Sequence, residues 1–141
     1  MPAGYEFFEH TADVGATVRG VTLPRLFENA ARALFDLVTD RRAVRPRRSV
    51  PISVSGTSVE DLLIRWLQEL LYLHQTGGWL FSAFAVERID RARVRCRGRA
   101  RGEPLDPSRH PLRREVKAVT YHQIRLTRGR SAWRVRIVFD I

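Results

Sequence analysis

The sequence contains a single cysteine, Cys96, among 141 residues. One cysteine can form neither an internal disulfide nor a metal site built from several thiolates. No stretch approaches the roughly 18 apolar residues that a membrane-spanning helix needs. The first residues also lack the apolar segment of a secretory signal peptide. These absences together favour a cytoplasmic protein.

Lysine is almost absent from the chain. Lys117 is the only lysine, and the other residues counted as Lys+Arg are arginines. The chain has 25 Lys+Arg against 15 Asp+Glu, a formal net charge of +10 and a pI of about 11.3. Such a surplus favours contact with RNA, or with a protein that handles RNA. An arginine-rich genome would produce the same composition, so composition alone leaves both explanations open.

A composition of 44% hydrophobic and 28% charged residues is typical of a globular protein, and the length fits one domain over residues 1–141. Apolar residues at three- and four-residue steps predict a helix that begins after Thr22 and another that begins after Ser58 and ends at Gly77-Gly78. Alternating patterns predict strands at 5–10, 14–19, 50–54, 80–89, 92–100, 116–126 and 133–141. Arginines with a proline predict an exposed loop at 41–48, and prolines with a glycine predict a loop at 102–111. We therefore predict an α+β fold, with two helices packed on mostly antiparallel sheet.

A polar turn lies between the first two predicted strands, in the stretch FFEHTADVGA. Thr11 and Asp13 are residue types that bond backbone N–H groups and cap turns. The same residues, with His10, also suit one half of a metal or catalytic site. The second interpretation needs partners from elsewhere in the chain, and spacing alone does not supply them.

The chain ends in VFDI, so the Asp140 side chain lies next to a terminal carboxylate. Adjacent carboxylates repel each other unless a cation lies between them. A third carboxylate would complete an oxygen-rich site suited to Ca²⁺, Mg²⁺ or Mn²⁺ rather than zinc. The alternative is a surface ion pair of Asp140 with Arg134 or Arg136.

Arginine occupies every odd position in RARVRCRGRAR, from Arg91 to Arg101. The strand period of two predicts that all six guanidinium groups project from one sheet face. A row of like charges requires solvent, acidic cross-strand partners or a polyanion. No aromatic residue alternates with the arginines, so the base-stacking pattern of single-strand binders is missing. A solvated face and a strip that binds RNA or protein both remain open.

Five stretches, taken together and in this order, resemble the archease family, the small protein cofactors of RtcB-type RNA ligases. They are YEFFEHTADVGATVRG, TLPRLFENAARALFDLVTD, DLLIRWLQELLYL, VKAVTYHQIRL and WRVRIVFDI. The chain departs from the family pattern at Glu9, where the family commonly has Asp, and in its higher arginine content. The resemblance implies an archease-like fold over most of the chain.

The resemblance also implies a bound divalent ion, calcium in the first place and Mg²⁺ or Mn²⁺ as alternatives, held by Asp13, Asp140 and Ile141. It further implies roles in ligase activation for Glu28 and Lys117. Residues that would shape the site are His10, Thr11 and His122.

The function implied is that of a protein cofactor with no catalytic residues of its own. It would promote guanylylation and multiple turnover of a GTP-dependent RNA ligase in tRNA splicing or RNA repair. The partners expected are that ligase and, directly or through it, RNA, with no membrane and no DNA. Two alternative hypotheses are an RNA-binding module that uses Arg91 to Arg101, and a metal-dependent phosphoesterase that uses Asp13, His10 and Glu28.

Overall fold

The fold combines two helices with seven strands in the part of the chain that the structure, a computed structural model, describes, namely residues 4–9 and 13–141. In chain order the elements are β1 (Tyr5–Glu9), β2 (Asp13–Gly20), α1 (Leu23–Val38), a 3₁₀ turn (Arg41–Ala43), β3 (Arg48–Ser55), α2 (Val59–Gly77), β4 (Trp79–Asp90), β5 (Arg95–Pro104), β6 (Ala118–Arg128) and β7 (Trp133–Asp140).

The strands form two separate antiparallel sheets. One has four strands in the order β1-β2-β7-β6, and the other has three in the order β3-β5-β4. The predicted α+β class is confirmed. The division into two sheets was not predicted. In the four-stranded sheet, β2 from the start of the chain pairs along its length with β7 from the end of the chain.

Helix α1 begins where the sequence predicts it. The Thr22 hydroxyl accepts a hydrogen bond from the Arg25 N–H at 3.2 Å, and Pro24 occupies the first turn, where no N–H is needed. The apolar stripe of the helix is buried, with Leu26 and Phe27 fully enclosed. Through this stripe α1 packs against β2 and β4, one strand from each sheet.

Helix α2 begins at a cap on Ser58, whose side chain accepts from the Asp61 N–H at 3.0 Å. It ends at Gly78, which adopts the left-handed conformation at φ 69° that glycine tolerates. The buried Trp66 side chain donates from Nε1 to the carbonyl of Phe27 at 3.0 Å and so joins the two helices. No helix of the described residues is long and apolar enough to span a membrane.

The segment from Arg41 to Arg48, predicted as an exposed loop, is partly structured. Arg41 lies 2.7 Å from Asp36 in an ion pair that is mostly shielded from solvent. Val44 is buried in the core, and Arg48 already belongs to β3. The loop prediction is confirmed for residues 45–47, which are exposed and outside any helix or strand, and was wrong for the residues on either side. The arginines predicted exposure to solvent, whereas Arg41 has an acidic partner on α1.

The predicted loop after residue 101 begins later than expected, because β5 continues to Pro104 and buries Glu103. The Glu103 carboxylate accepts from the Arg45 N–H at 2.8 Å, from Arg109 at 2.7 Å and from His110 at 2.8 Å. Burial alone would raise the pKa of Glu103, but these hydrogen bonds outweigh it and lower the pKa to about 2. The network anchors the segment that leads into β6.

Replacing Glu103 with Gln should lower the free energy of unfolding by about 3 kcal/mol, because a buried, multiply bonded carboxylate is lost. The folded pKa of about 2 lies below the ordinary value of 4.5. The unfolded chain therefore takes up this proton first as the pH falls. The stabilisation should be complete at neutral pH and disappear as the pH drops from 4.5 towards 2. Urea unfolding across this pH range measures both effects.

The matched control is Glu87→Gln, which removes an exposed carboxylate of β4. It should leave the free energy of unfolding within about 0.5 kcal/mol of the wild-type value. If Glu103→Gln and Glu87→Gln gave the same stability and the same acid sensitivity, the buried network would not stabilise the fold.

Candidate functional site

Asp13 and Asp140 lie directly opposite each other, at one end of the β2–β7 pair. Directly opposed residues of an antiparallel pair project to the same side of the sheet, with Cβ atoms about 4.5–5.5 Å apart. Two carboxylates from the far ends of the sequence are therefore neighbours. Like charges in this position destabilise a sheet unless a cation offsets them.

The surroundings of Asp13 leave one of its oxygens without a partner. Oδ1 of Asp13 is buried and accepts no hydrogen bond from any residue that the structure describes. A buried polar atom of this kind costs free energy. Neither aspartate forms an ion pair within residues 4–9 and 13–141. The alternative to a metal site was a surface ion pair of Asp140 with Arg134 or Arg136. The structure shows no such ion pair among the described residues.

The backbone around Asp140 is held from several sides. Its carbonyl accepts the Lys117 N–H at 2.7 Å, and Ala118 is its register partner on β6. The Lys117 carbonyl in turn accepts from the Gln75 side chain at 3.1 Å, at the end of α2. The Ile141 side chain packs against the core. The end of β7 is thus held in place opposite Asp13.

The donor chemistry fits a hard divalent ion. Carboxylate and main-chain oxygens are the ligands that Ca²⁺ and Mg²⁺ prefer, whereas zinc sites are rich in His and Cys. Among the described residues, no three side chains of His, Cys, Asp or Glu gather at one point. The two aspartates would therefore need a further oxygen from the main chain, from the end of the chain or from a partner molecule.

Glu28 is not gathered with Asp13 and Asp140 in the described part of the chain. One of its oxygens accepts the Val86 N–H at 2.9 Å, and the other lies 3.8 Å from Arg25. The carboxylate thus joins α1 to β4. The phosphoesterase hypothesis required Glu28 beside Asp13 and His10. Within the described residues Glu28 belongs to no cluster of three potential metal ligands, and His10 lies outside those residues.

His122 is exposed and lies in an irregular part of β6. There, residues 121–124 interrupt the register between the pairs Thr120–Val138 and Arg125–Arg136. The His122 N–H donates to the Thr120 hydroxyl at 3.3 Å. His10 and Thr11, the other two residues predicted to shape the site, lie outside the described residues.

Sequence reasoning missed the side chain that secures the irregular part of β6. The Tyr121 hydroxyl donates to Asp61, which also accepts from Arg65 at 2.9 Å. The Tyr121 hydrogen bond is the largest cause that lowers the pKa of Asp61 to about 2. From the sequence alone, the spacing of Ser58 and Asp61 resembles a capping box and predicts only a helix-capping role for Asp61. The partners lie 60 positions apart in sequence, so no local signal points to this contact.

A sequence model of the Archease protein family matches residues 5–141. The chain belongs to the archease family. The proteins named "Protein archease" from Methanopyrus kandleri and Pyrococcus furiosus are 44% and 42% identical to it. These alignments cover 97% of this chain, with 99% and 98% of the respective relatives.

Solved structures agree with this assignment. A solution structure of a protein from Methanobacterium thermoautotrophicum superposes with a TM-score of 0.83 at 32% identity, over 99% of both chains. A crystal structure from Thermotoga maritima, described as an archease and possible chaperone, gives a TM-score of 0.62 at 21% identity. This alignment covers 95% of this chain and 94% of the Thermotoga maritima chain. At this identity, the similarity concerns the fold alone.

Replacing Asp13 with Asn should stabilise the metal-free protein, because one of two opposed charges is removed. The expected gain in the free energy of unfolding is about 0.5 kcal/mol. Urea unfolding in the presence of a chelator measures it, with Glu87→Gln as the control that removes a carboxylate elsewhere. A loss of stability in Asp13→Asn under these conditions would mean that the Asp13 charge is already compensated in the folded protein.

Proposed function

We propose that this archease is a protein cofactor of a GTP-dependent, RtcB-type RNA ligase, and that it holds a divalent ion with Asp13, Asp140 and the main-chain carboxylate of Ile141. The observation that carries the proposal is the opposition of Asp13 and Asp140 on paired strands. The buried, unpartnered oxygen of Asp13 supports it, since a cation would satisfy that atom.

Calcium is the ion that suits these residues best. Ca²⁺ accepts several oxygen ligands in flexible geometry, whereas Mg²⁺ demands a near-ideal octahedron and keeps several waters. Two carboxylates and a terminal carboxylate also bring enough negative charge to bind either ion. When bound, the ion would supply positive charge against the phosphate groups of the nucleotide.

The two further residues have different parts in this proposal. Lys117 is exposed, and its backbone N–H donates to the Asp140 carbonyl. Its ammonium forms no ion pair within residues 4–9 and 13–141, and we propose that it contacts the ligase or its nucleotide. The Glu28 side chain is 16% exposed and binds the backbone of β4. Glu28 therefore acts as a positioning residue, which keeps α1 in place against β4, and not as a metal ligand. His10, Thr11 and His122 are proposed to shape the surface around the ion.

Ca²⁺ should bind the wild-type protein and raise its free energy of unfolding, by about 2.7 kcal/mol when the free ion is at about 100 times Kd. Asp13→Asn should lose this gain because a ligand is removed. A chain extended beyond Ile141 by Gly-Ser-Gly should also lose it, because both aspartates remain but the terminal carboxylate is displaced. Calorimetric titration and urea unfolding with and without Ca²⁺ measure the effect.

The extended chain distinguishes the contribution of the terminal carboxylate from that of the two aspartate side chains. Undiminished Ca²⁺ binding by the extended chain would remove Ile141 from the ligand set. Undiminished binding by Asp13→Asn would remove the proposed ion site altogether. Glu87→Gln serves as the control, with wild-type Ca²⁺ binding expected.

Wild-type protein should stimulate guanylylation of the ligase by GTP, and Asp13→Ala should lower that stimulation by at least about tenfold, the scale on which loss of even an outer partner acts on a metal site. The measurement is the rate at which labelled GMP is attached to the ligase, followed by ligation over several turnovers. Glu87→Ala is the matched control. Equal stimulation by wild-type and Asp13→Ala proteins would refute the proposed mechanism.

A further inference from the structure

The solvent side of β5 carries a row of four arginines: Arg95, Arg97, Arg99 and Arg101. We call this row and the strand residues beside it the arginine face. Between the arginines, small residues point towards the core, where each is buried: Cys96, Gly98, Ala100 and Gly102. The sequence predicted six arginines on one face. Arg91 and Arg93 do not join the row, because residues 91–94 form the turn between β4 and β5.

The neighbouring strands carry few acids: β3 has none, and β4 has Asp90 and the exposed Glu87. The partners on β3 are Ser55, Ser53, Pro51 and Ser49, and those on β4 are Asp90, Arg88, Ala85 and Ala83. The single acid among these partners, Asp90, lies 3.6 Å from Arg88 and also accepts the Arg93 N–H at 3.1 Å.

Within residues 4–9 and 13–141, no ion pair involves any of the four arginines of the row. Arg88 adds a fifth cation next to Arg97. The arginine face therefore carries more positive than negative charge, and the two acids of β4, Asp90 and the exposed Glu87, do not form ion pairs with the row.

The spacing of the row suits a repeating anion. Alternate residues of a strand lie about 6.6 Å apart, so the guanidinium groups form a regular ladder. Repulsion within such a ladder is relieved by an anionic polymer, whose successive phosphates meet successive cations. Each guanidinium presents a planar fork of donors, which matches the oxygens of a phosphate better than an ammonium does. Arg99 is already oriented, because its Nε donates to Ser49 at 2.7 Å.

The composition of the arginine face argues against a folded protein as its partner. Protein interfaces are centred on buried aromatic or large apolar anchors. The large apolar side chains exposed in the described part of the chain are Phe7, Val21, Tyr72, Leu112 and Tyr121, and none of them lies on β3, β4 or β5. The same lack of exposed aromatic rings excludes base stacking of a single strand. What remains is recognition of a phosphate backbone.

We propose that the arginine face binds the phosphate backbone of double-stranded RNA without reading its base sequence. The face belongs to the three-stranded sheet, whereas Asp13 and Asp140 belong to the four-stranded sheet. RNA contact is therefore a second activity of this chain. It does not depend on the ion site or on the ligase.

The test compares two triple variants of equal charge. Arg95, Arg97 and Arg101, each exposed, are replaced together by Gln on the arginine face. In the control, three exposed arginines of the four-stranded sheet and its β6–β7 turn are replaced by Gln: Arg125, Arg130 and Arg134. Both variants lower the formal net charge from +10 by three units. Circular dichroism and thermal unfolding verify that each variant is folded.

Fluorescence anisotropy with a labelled RNA hairpin, without ligase or divalent ion, measures Kd between about 50 and 200 mM KCl. The arginine-face variant should bind at least about tenfold more weakly at the lowest salt. The slope of log K against log salt is negative, and its magnitude should decrease by about 2 to 3 in this variant, since each duplex phosphate contact contributes about 0.9. The control should keep the wild-type slope. A single Arg97→Gln variant, the mildest change, should decrease the magnitude of the slope by about 0.9.

Three outcomes would overturn the proposal. The first is no binding of the hairpin by wild-type protein at low salt. The second is an equal loss in both triple variants, because net charge alone would then explain binding. The third is unchanged RNA binding by the arginine-face variant, which would place the RNA contact elsewhere on the protein. Since the assay contains no ligase or divalent ion, failure of the proposed activator function leaves this result unaffected.

Discussion

The pairing of β2 with β7 is the constraint on which the candidate site depends. Val14 and Phe139 are register partners and both are buried, as are Ala16 with Ile137 and Val18 with Val135. A slip of one residue would turn these side chains out of the core. Burial of three apolar pairs therefore fixes the register, and the register makes Asp13 and Asp140 opposite neighbours. The core thus determines the position of the two charges, although neither charge belongs to it.

Elements with strong local signals could be predicted from the sequence. Thr22 and Ser58 cap the helices as expected, and the Gly77-Gly78 pair ends the second one. The split into two sheets could not be predicted, because strand pairing depends on contacts between segments far apart in sequence. The length of the arginine row was overestimated, because residues 91–94 form the β4–β5 turn and so remove Arg91 and Arg93 from the strand. This turn could not be predicted locally, since it places Val94 at a φ of 52°, which is rare for a β-branched side chain.

The candidate site was predictable in its residues but not in its geometry. The motifs identified Asp13 and Asp140 as notable, and the family resemblance implied that they act together. Only the β2–β7 register brings them side by side. The supports around them had no local signature, since Gln75 reaches Lys117 across 42 positions. For Glu28 the family resemblance implied a role in ligase activation, which stays a prediction; the structure adds a hydrogen bond from the Val86 N–H to its carboxylate, a contact without a local signal.

Cys96 lies within β5 between Arg95 and Arg97, but its side chain points to the opposite side of the sheet and is 1% exposed. Burial raises the pKa of this thiol to about 12, so the reactive thiolate is essentially absent at neutral pH. The protein should therefore tolerate air without forming a disulfide-linked dimer. A thiol reagent would modify Cys96 only when β5 separates from its neighbours, which makes this one sulfur a built-in reporter of the opening of the three-stranded sheet.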